Sequence, residues 1–191
     1  MDNTKTKKDY NDSELYANQL NYNAYVEKKK NVYRVLYFVA SIISLVSIFI
    51  LPMYKYELLG KKKGQMRIIG EYTAEYIIEK YFNYSLGPHS LLNTALIISI
   101  FAMIILSAYV IVGGVMNLFA KKKIESNATL AKLFNYGKLE IIATVLLVVL
   151  MISMVFCKVD AFGNVENMIG FWAIFASSIV MICTSISLSS K

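Results

Sequence analysis

The sequence is short of the residues from which soluble active sites are built. It holds one histidine, His89, two cysteines, Cys157 and Cys183, two prolines and one tryptophan. A metal centre needs clustered His, Cys, Asp or Glu at ligand spacing. One histidine and two cysteines 26 residues apart supply no such cluster. Both thiols fall in or at the end of apolar runs rather than in polar loops, so no disulfide framework is expected. His89 follows Pro88 beside an apolar run and reads as an interfacial residue. No Gly-x-Ser-x-Gly elbow accompanies the many serines, and no glycine-rich phosphate loop is present. The expectation is therefore a non-enzyme without catalytic, metal or cofactor-binding residues.

Charge is nearly missing from four long stretches, Glu140 at the mouth of the third being the one exception, and that lack says the most. Hydrophobic residues make up 57% of the 191-residue chain, against about 45–50% in an ordinary soluble domain. The excess is concentrated in runs at about 35–54, 91–119, 139–157 and 168–188. An apolar run of about 20 residues is long enough to cross a bilayer core of about 30 Å as a helix. The second run reaches about 45 Å at 1.5 Å rise per residue, so it is expected to tilt or to protrude at the loop side, where Asn93 and Thr94 are polar. The opening residues show no short apolar stretch before a small-residue cleavage site, so the first run is read as a retained anchor. The fold class expected is an all-α integral membrane protein, an antiparallel bundle of four transmembrane helices.

The polar segments complete the layout. Residues 1–32 form a polar arm whose first dozen residues are expected to be disordered, with Asp12 or Ser13 capping a helix that continues into the first span. The loop at 55–90 carries strand alternation in YKYELL, a KKKG turn after Gly60, and QMRII before Gly70, read as a β-hairpin. The stretch 71–84 reads as a helix, with Glu71, Glu75 and Glu79 on one face. Hairpin and helix together are expected to make a small extracytoplasmic cap. The second loop, KKKIESNATLAKLFNYGK, is short and basic, and the third, KVDAFGNVEN, reads as a tight connection.

Charge then orients the chain. The net charge is +7, from 20 Lys and Arg against 13 Asp and Glu. With the N-terminus inside, thirteen of the basic residues lie on the inner side and seven on the outer. The positive-inside rule then places both termini in the cytoplasm. The inverted arrangement is the competitor, because Lys61, Lys62, Lys63 and Arg67 lie in the outer loop. Lys28, Lys29, Lys30, Lys121, Lys122 and Lys123 flank spans and are expected to meet anionic lipid headgroups. No soluble basic domain is long enough for nucleic acid. The Lys, Asn, Ile and Tyr bias is that of an AT-rich genome, and the expected location is a bacterial cell membrane, crossed several times.

Small residues are the positive signal inside the spans. Ala40, Ser44 and Ser47 share a face of the first, Gly113 and Gly114 are adjacent in the second, and Gly170, Ala173, Ser177 and Thr184 line the fourth. Such residues let helices approach closely, either within the bundle or against a partner helix. Asn117, one turn past the glycines, is placed to hydrogen-bond across helices. Fourteen tyrosines form an aromatic belt. Those at Tyr72, Tyr76, Tyr81 and Tyr84 are dense enough to pack the cap or to present an interaction surface. The layout resembles that of claudins, with a short arm, a span, a loop of strand character and three further spans. The claudin loop signature of Trp, Gly, Leu, Trp and two Cys is absent, so the resemblance is one of layout.

Elimination then leaves an accessory or scaffold subunit of a membrane complex, with a membrane-protein partner or a second copy of the chain. A component of a transporter or oligomeric pore is the first alternative, although span cores free of ionisable groups argue against a proton-coupled carrier acting alone. A small immunity or resistance protein against a membrane-active toxin is the second.

Overall fold

The computed structural model describes residues 3–58, 62–67, 90–160 and 165–189. In chain order the elements are α1 (Asn3–Ile50), β1 (Pro52–Leu58), β2 (Lys62–Arg67), α2 (Ser90–Phe119), α3 (Lys121–Ser126), α4 (Ala128–Leu133), α5 (Tyr136–Asp160), β3 (Val165–Asn167) and α6 (Ile169–Ser189). Four helices, those containing the apolar parts of α1, α2, α5 and α6, are long and apolar enough to cross a membrane.

α1 is one helix of 48 residues. The expected disorder of the first dozen residues is corrected, since the helix begins at Asn3. The physical reason lies in what is missing: no glycine or proline precedes Pro52, so nothing breaks the ladder. The helix starts well before Asp12 and Ser13, the expected caps, and runs on from the arm into the apolar run, as the sequence suggested. Past residue 17 the arm is solvated, with Leu20, Tyr22 and Tyr25 all exposed. The helix stops at Ile50 rather than at 54. Pro52 has no N–H to continue it and disfavours helical backbone at Leu51, so Pro52, Met53 and Tyr54 pass into β1.

The helices pack as a closed ring. α1 lies against α2 and α6, and α5 lies against the same two. Each helix buries a seam spaced three and four residues apart. On α1 the seam is Tyr37, Ala40, Ser41, Ser44, Ser47 and Ile48; on α5 it is Leu139, Ala143, Leu146, Leu150 and Ser153. On α6 it runs from Gly170 through Ile174, Ser178 and Met181 to Ser185. A 3.5-residue repeat of this kind sets neighbouring helices at shallow crossing angles. The opposite faces expose Phe101, Ile105, Ile141, Val155 and Trp172, among others. Apolar faces this extensive suit hydrocarbon, not water.

At the end where α1 stops and α6 starts lies a three-stranded sheet in the order β2-β1-β3. β1 and β2 are antiparallel, with Tyr56 opposite Gly64 and Leu58 opposite Lys62. Lys62, Lys63 and Gly64 therefore lie within a strand, where the sequence placed them in a turn. β1 also pairs with β3, Lys55 facing Glu166. This third strand corrects the reading of the third loop as a mere connection. The sheet is fixed to the helices at Met53, which is fully buried and whose carbonyl accepts from the N–H of Met168 at 2.9 Å. The expected helix at 71–84 and His89 lie outside the described residues.

Candidate functional site

The polar chemistry of the described chain gathers at the other end of the helices. Arg34 lies one residue before the apolar run of α1 and is only 8% exposed. Its Nη1 donates to Glu27 Oε1 at 2.9 Å and to Asn31 Oδ1. Its Nε donates to the Tyr136 hydroxyl at 3.3 Å. Glu27 and Arg34 are seven residues apart, two helical turns, so they share a face. Lys121, at the start of α3, brings its Nζ to the same Glu27 oxygen, also at 2.9 Å. Glu27 lies two turns ahead of the apolar run, and the Arg34 hydrogen bond, followed by that from Lys121, pulls its carboxyl down to about 2.

Of these side chains, Arg34, Lys121 and Tyr136 border a cleft of about 260 Å³. Its walls come from four places: Arg34 on α1, Asn117 at the end of α2, Lys121, Ile124 and Glu125 on α3, and Ala131 to Tyr136 around the break between α4 and α5. Local capping makes that shape. The Asn127 side chain accepts from the N–H groups of Thr129 and Leu130 at 3.0 and 3.2 Å, which starts α4. The Asn135 side chain accepts from the Lys138 N–H at 2.7 Å, which starts α5. Asparagine at these positions satisfies N–H groups that a helix start leaves unpaired. Asn117 Nδ2 donates to Gly113 O at 2.8 Å and to Phe134 O at 2.9 Å, and the Tyr109 hydroxyl donates to Leu133 O at 2.5 Å. The segment between α2 and α5 is thus tied to α2 in two places.

The small-residue faces are spent inside the ring. Ala40, Ser44, Ser47, Ser177 and Thr184 are buried. A β-carbon on Gly113 would meet the side chain of Leu139, one on Gly114 would meet Ser41 and Phe38, and one on Gly170 would meet the carbonyls of Pro52 and Leu51. Ala173 is partly buried. Most of the hydroxyls return to their own helix: Ser47 donates to Ile43 O, Ser177 to Ile174 O and Thr184 to Val180 O. Ser44 and Ser107 meet across α1 and α2 at 3.3 Å. Three buried hydroxyls, those of Tyr37, Ser178 and Ser185, have no hydrogen-bond partner among the described residues.

Of the flanking lysines, Lys28, Lys29, Lys122 and Lys123 are exposed, whereas Lys30 and Lys121 are partly covered. Tyr72, Tyr76, Tyr81 and Tyr84 lie outside the described residues. Among the described residues no group of three or more His, Cys, Asp or Glu could hold a metal ion. The sequence treated Arg34 as one more flanking charge and Tyr136 as belt; their meeting was missed. The available signal was the i, i+7 spacing of Glu27 and Arg34. The second half of the cleft comes from residues about a hundred positions away, beyond any local pattern.

No protein-family model matches the sequence, no curated protein is similar to it, and no solved structure matches its fold.

Proposed function

We propose that the chain is a non-catalytic accessory or scaffold subunit of a bacterial membrane complex: an antiparallel four-span bundle with both termini in the cytoplasm and an extracytoplasmic cap. The observation that carries this reading is the sheet. Strands from two different loops, β2 and β3, flank β1, and the outer edges of both lack a strand partner among the described residues. A sheet edge presents a row of unpaired N–H and C=O groups that a second chain can extend. The non-catalytic part of the reading is supported by the helix seams, which are filled with apolar and hydroxyl side chains, and by the small-residue faces, which mostly pack within the chain. The sheet edges are the surface that this reading gives to an external partner.

The test is capture in mild detergent with a photo-crosslinking residue at Gln65 on β2. A specific crosslinked partner, or a crosslinked second copy, supports the reading. Recovery only as an uncrosslinked monomer overturns it.

A second reading, a transport component, is favoured by the buried hydroxyls of Tyr37, Ser178 and Ser185, which have no partner among the described residues. A water or ion passing between the helices would find donors and acceptors there. Ion flux in liposomes that falls when Ser178 and Ser185 are both changed to alanine would support it.

A further inference from the structure

We propose that the cleft between Arg34, Lys121 and Tyr136 is a headgroup site for an anionic phospholipid whose headgroup carries hydroxyls. It deepens the expectation that the flanking lysines meet lipid. It rests only on the chain residing in a membrane, not on the accessory reading.

The donors converge on the cleft and are not all used. Arg34 lines it and is nine-tenths buried. Its Nε and Nη1 bind Tyr136, Glu27 and Asn31, which leaves both N–H groups of Nη2 without a partner among the described residues. A guanidinium offers five N–H groups in a fixed fork that suits phosphate. Lys121 Nζ binds Glu27 at 2.9 Å and stands 3.9 Å from Glu125, so an ammonium proton remains. The Tyr136 hydroxyl accepts from Arg34 and keeps its own proton to donate. The two cations already hold one oxyanion, that of Glu27, at the half-exposed rim.

The other walls discriminate among headgroups. Asn117 spends both Nδ2 protons on backbone carbonyls, so it offers the cleft only its Oδ1, an acceptor. Glu125 is a second acceptor. A headgroup with hydroxyls donates to these two while its phosphate takes the donors. Choline has no proton to give. Ile124 and Phe134 supply an apolar side for the glycerol backbone. The volume suits this occupant: it is several times the roughly 30 Å³ share of one water, yet below the about 300–1,000 Å³ of sites for larger ligands. The cleft also lies where α1 enters its apolar run, the depth at which headgroups lie.

The same chemistry is available from a soluble phosphate ester, so the experiment separates the two sources. The full chain in mild detergent is titrated with phosphatidylglycerol, phosphatidylcholine or glycerol 3-phosphate, and bound ligand is counted by native mass spectrometry. The expected result is one phosphatidylglycerol per chain, with little phosphatidylcholine. The apparent Kd rises at least tenfold in Lys121→Gln and in Arg34→Lys, which keeps the charge but loses the fork. It rises less than twofold in the Lys132→Gln, Lys138→Gln double variant, which removes two exposed charges at the same end. Lys121 is partly exposed and its variant keeps the fold, so the result does not depend on Arg34→Lys folding. Tight, Lys121-dependent binding of glycerol 3-phosphate alone supports the site with a soluble source. The proposal is overturned if the double variant loses as much affinity as Lys121→Gln, which would mean diffuse charge attraction, or if no saturable binding occurs.

Discussion

Glu27 shows how one carboxylate is held by its neighbours. Its carboxyl is lowered from the ordinary 4.5 to about 2 in the folded chain, so the folded state binds its proton less readily than the unfolded state. The associated stability is present above about pH 4.5 and is lost as the pH falls toward 2. Glu27→Gln is therefore expected to lower Tm at neutral pH, and the gap to the parent should close between pH 4.5 and about 2. Because the side chain is about half exposed, the gap is small and shrinks with salt. A gap of constant size across that range, read by thermal scans in low-salt detergent, would show that the pair carries none of the effect. Two glycines give a sharper contrast at the same scale. Gly170 faces the Pro52 and Leu51 carbonyls, which are backbone and cannot swing aside, so Gly170→Ala should cost about 1–3 kcal/mol by overpacking. A β-carbon on Gly137 would meet only the Asn135 side-chain oxygen, at an ordinary van der Waals distance of 3.8 Å, and Gly137 lies in the first turn of α5, so Gly137→Ala should be neutral or stabilising by about 0.4–1 kcal/mol. Equal losses from both substitutions in detergent unfolding would refute the packing argument.

Among the elements, α4 is the most delicately held. It has six residues, none of them buried, and a helix this short does not persist on intrinsic propensity. The Asn127 cap and the bond from Tyr109 to Leu133 O are what fix it. Asn127→Ala should cost about 1 kcal/mol and should raise amide exchange at Thr129 and Leu130 with little change at Leu146 in the core of α5. Uniform exchange at all three positions in the variant and the parent would mean that the cap is idle. The same element explains what could be read from the sequence. The long apolar runs were legible because burial in lipid demands about 20 uncharged residues in a row, a signal no loop imitates. The packing seams were legible in part, since Ser44, Gly113, Gly170 and Thr184 stood out as small. That they face inward could not be read, because direction depends on which helix lies beside which. α3 and α4 were hidden by their lysines, which look like loop, although Asn127 ahead of ATL was a usable start signal. β3 was hidden by its length: three residues carry no period, and VEN becomes a strand only because β1 offers it an edge. The cleft was least legible of all, since Arg34 acquires its role only when residues 117 to 136 fold back over it.

For the molecule as a whole, the distribution of charge and the position of the sheet lead to opposite expectations about orientation. Counted along the sequence for a four-span topology, thirteen basic residues fall in the segments that would share a side with the termini and seven in the segments opposite, so the positive-inside rule favours termini in the cytoplasm. Yet Lys62, Lys63 and Arg67 are concentrated in a single strand, β2, and a compact basic strand beside the bilayer would be drawn toward an anionic inner leaflet. The two tendencies differ in where their charge is anchored. The inner set includes lysines on three separate segments, the arm, α3 and the start of α5, each within reach of a span end, and it is span-flanking charge that decides insertion. Of the β2 charges, only Arg67 lies beside a span end, opposite Pro52, whereas Lys62 and Lys63 lie at the far end of the strand, opposite Leu58 and Glu57. Span-flanking charge should therefore win. The expectation is testable with a single cysteine at Lys61, Cys157 and Cys183 having been replaced by serine, in intact cells treated with a membrane-impermeant maleimide. Labelling from outside without permeabilisation, with a second cysteine at Lys122 reacting only after permeabilisation, is the expected pattern. The reverse pattern would invert the chain. It would put the sheet in the cytoplasm, and with it the search for a partner.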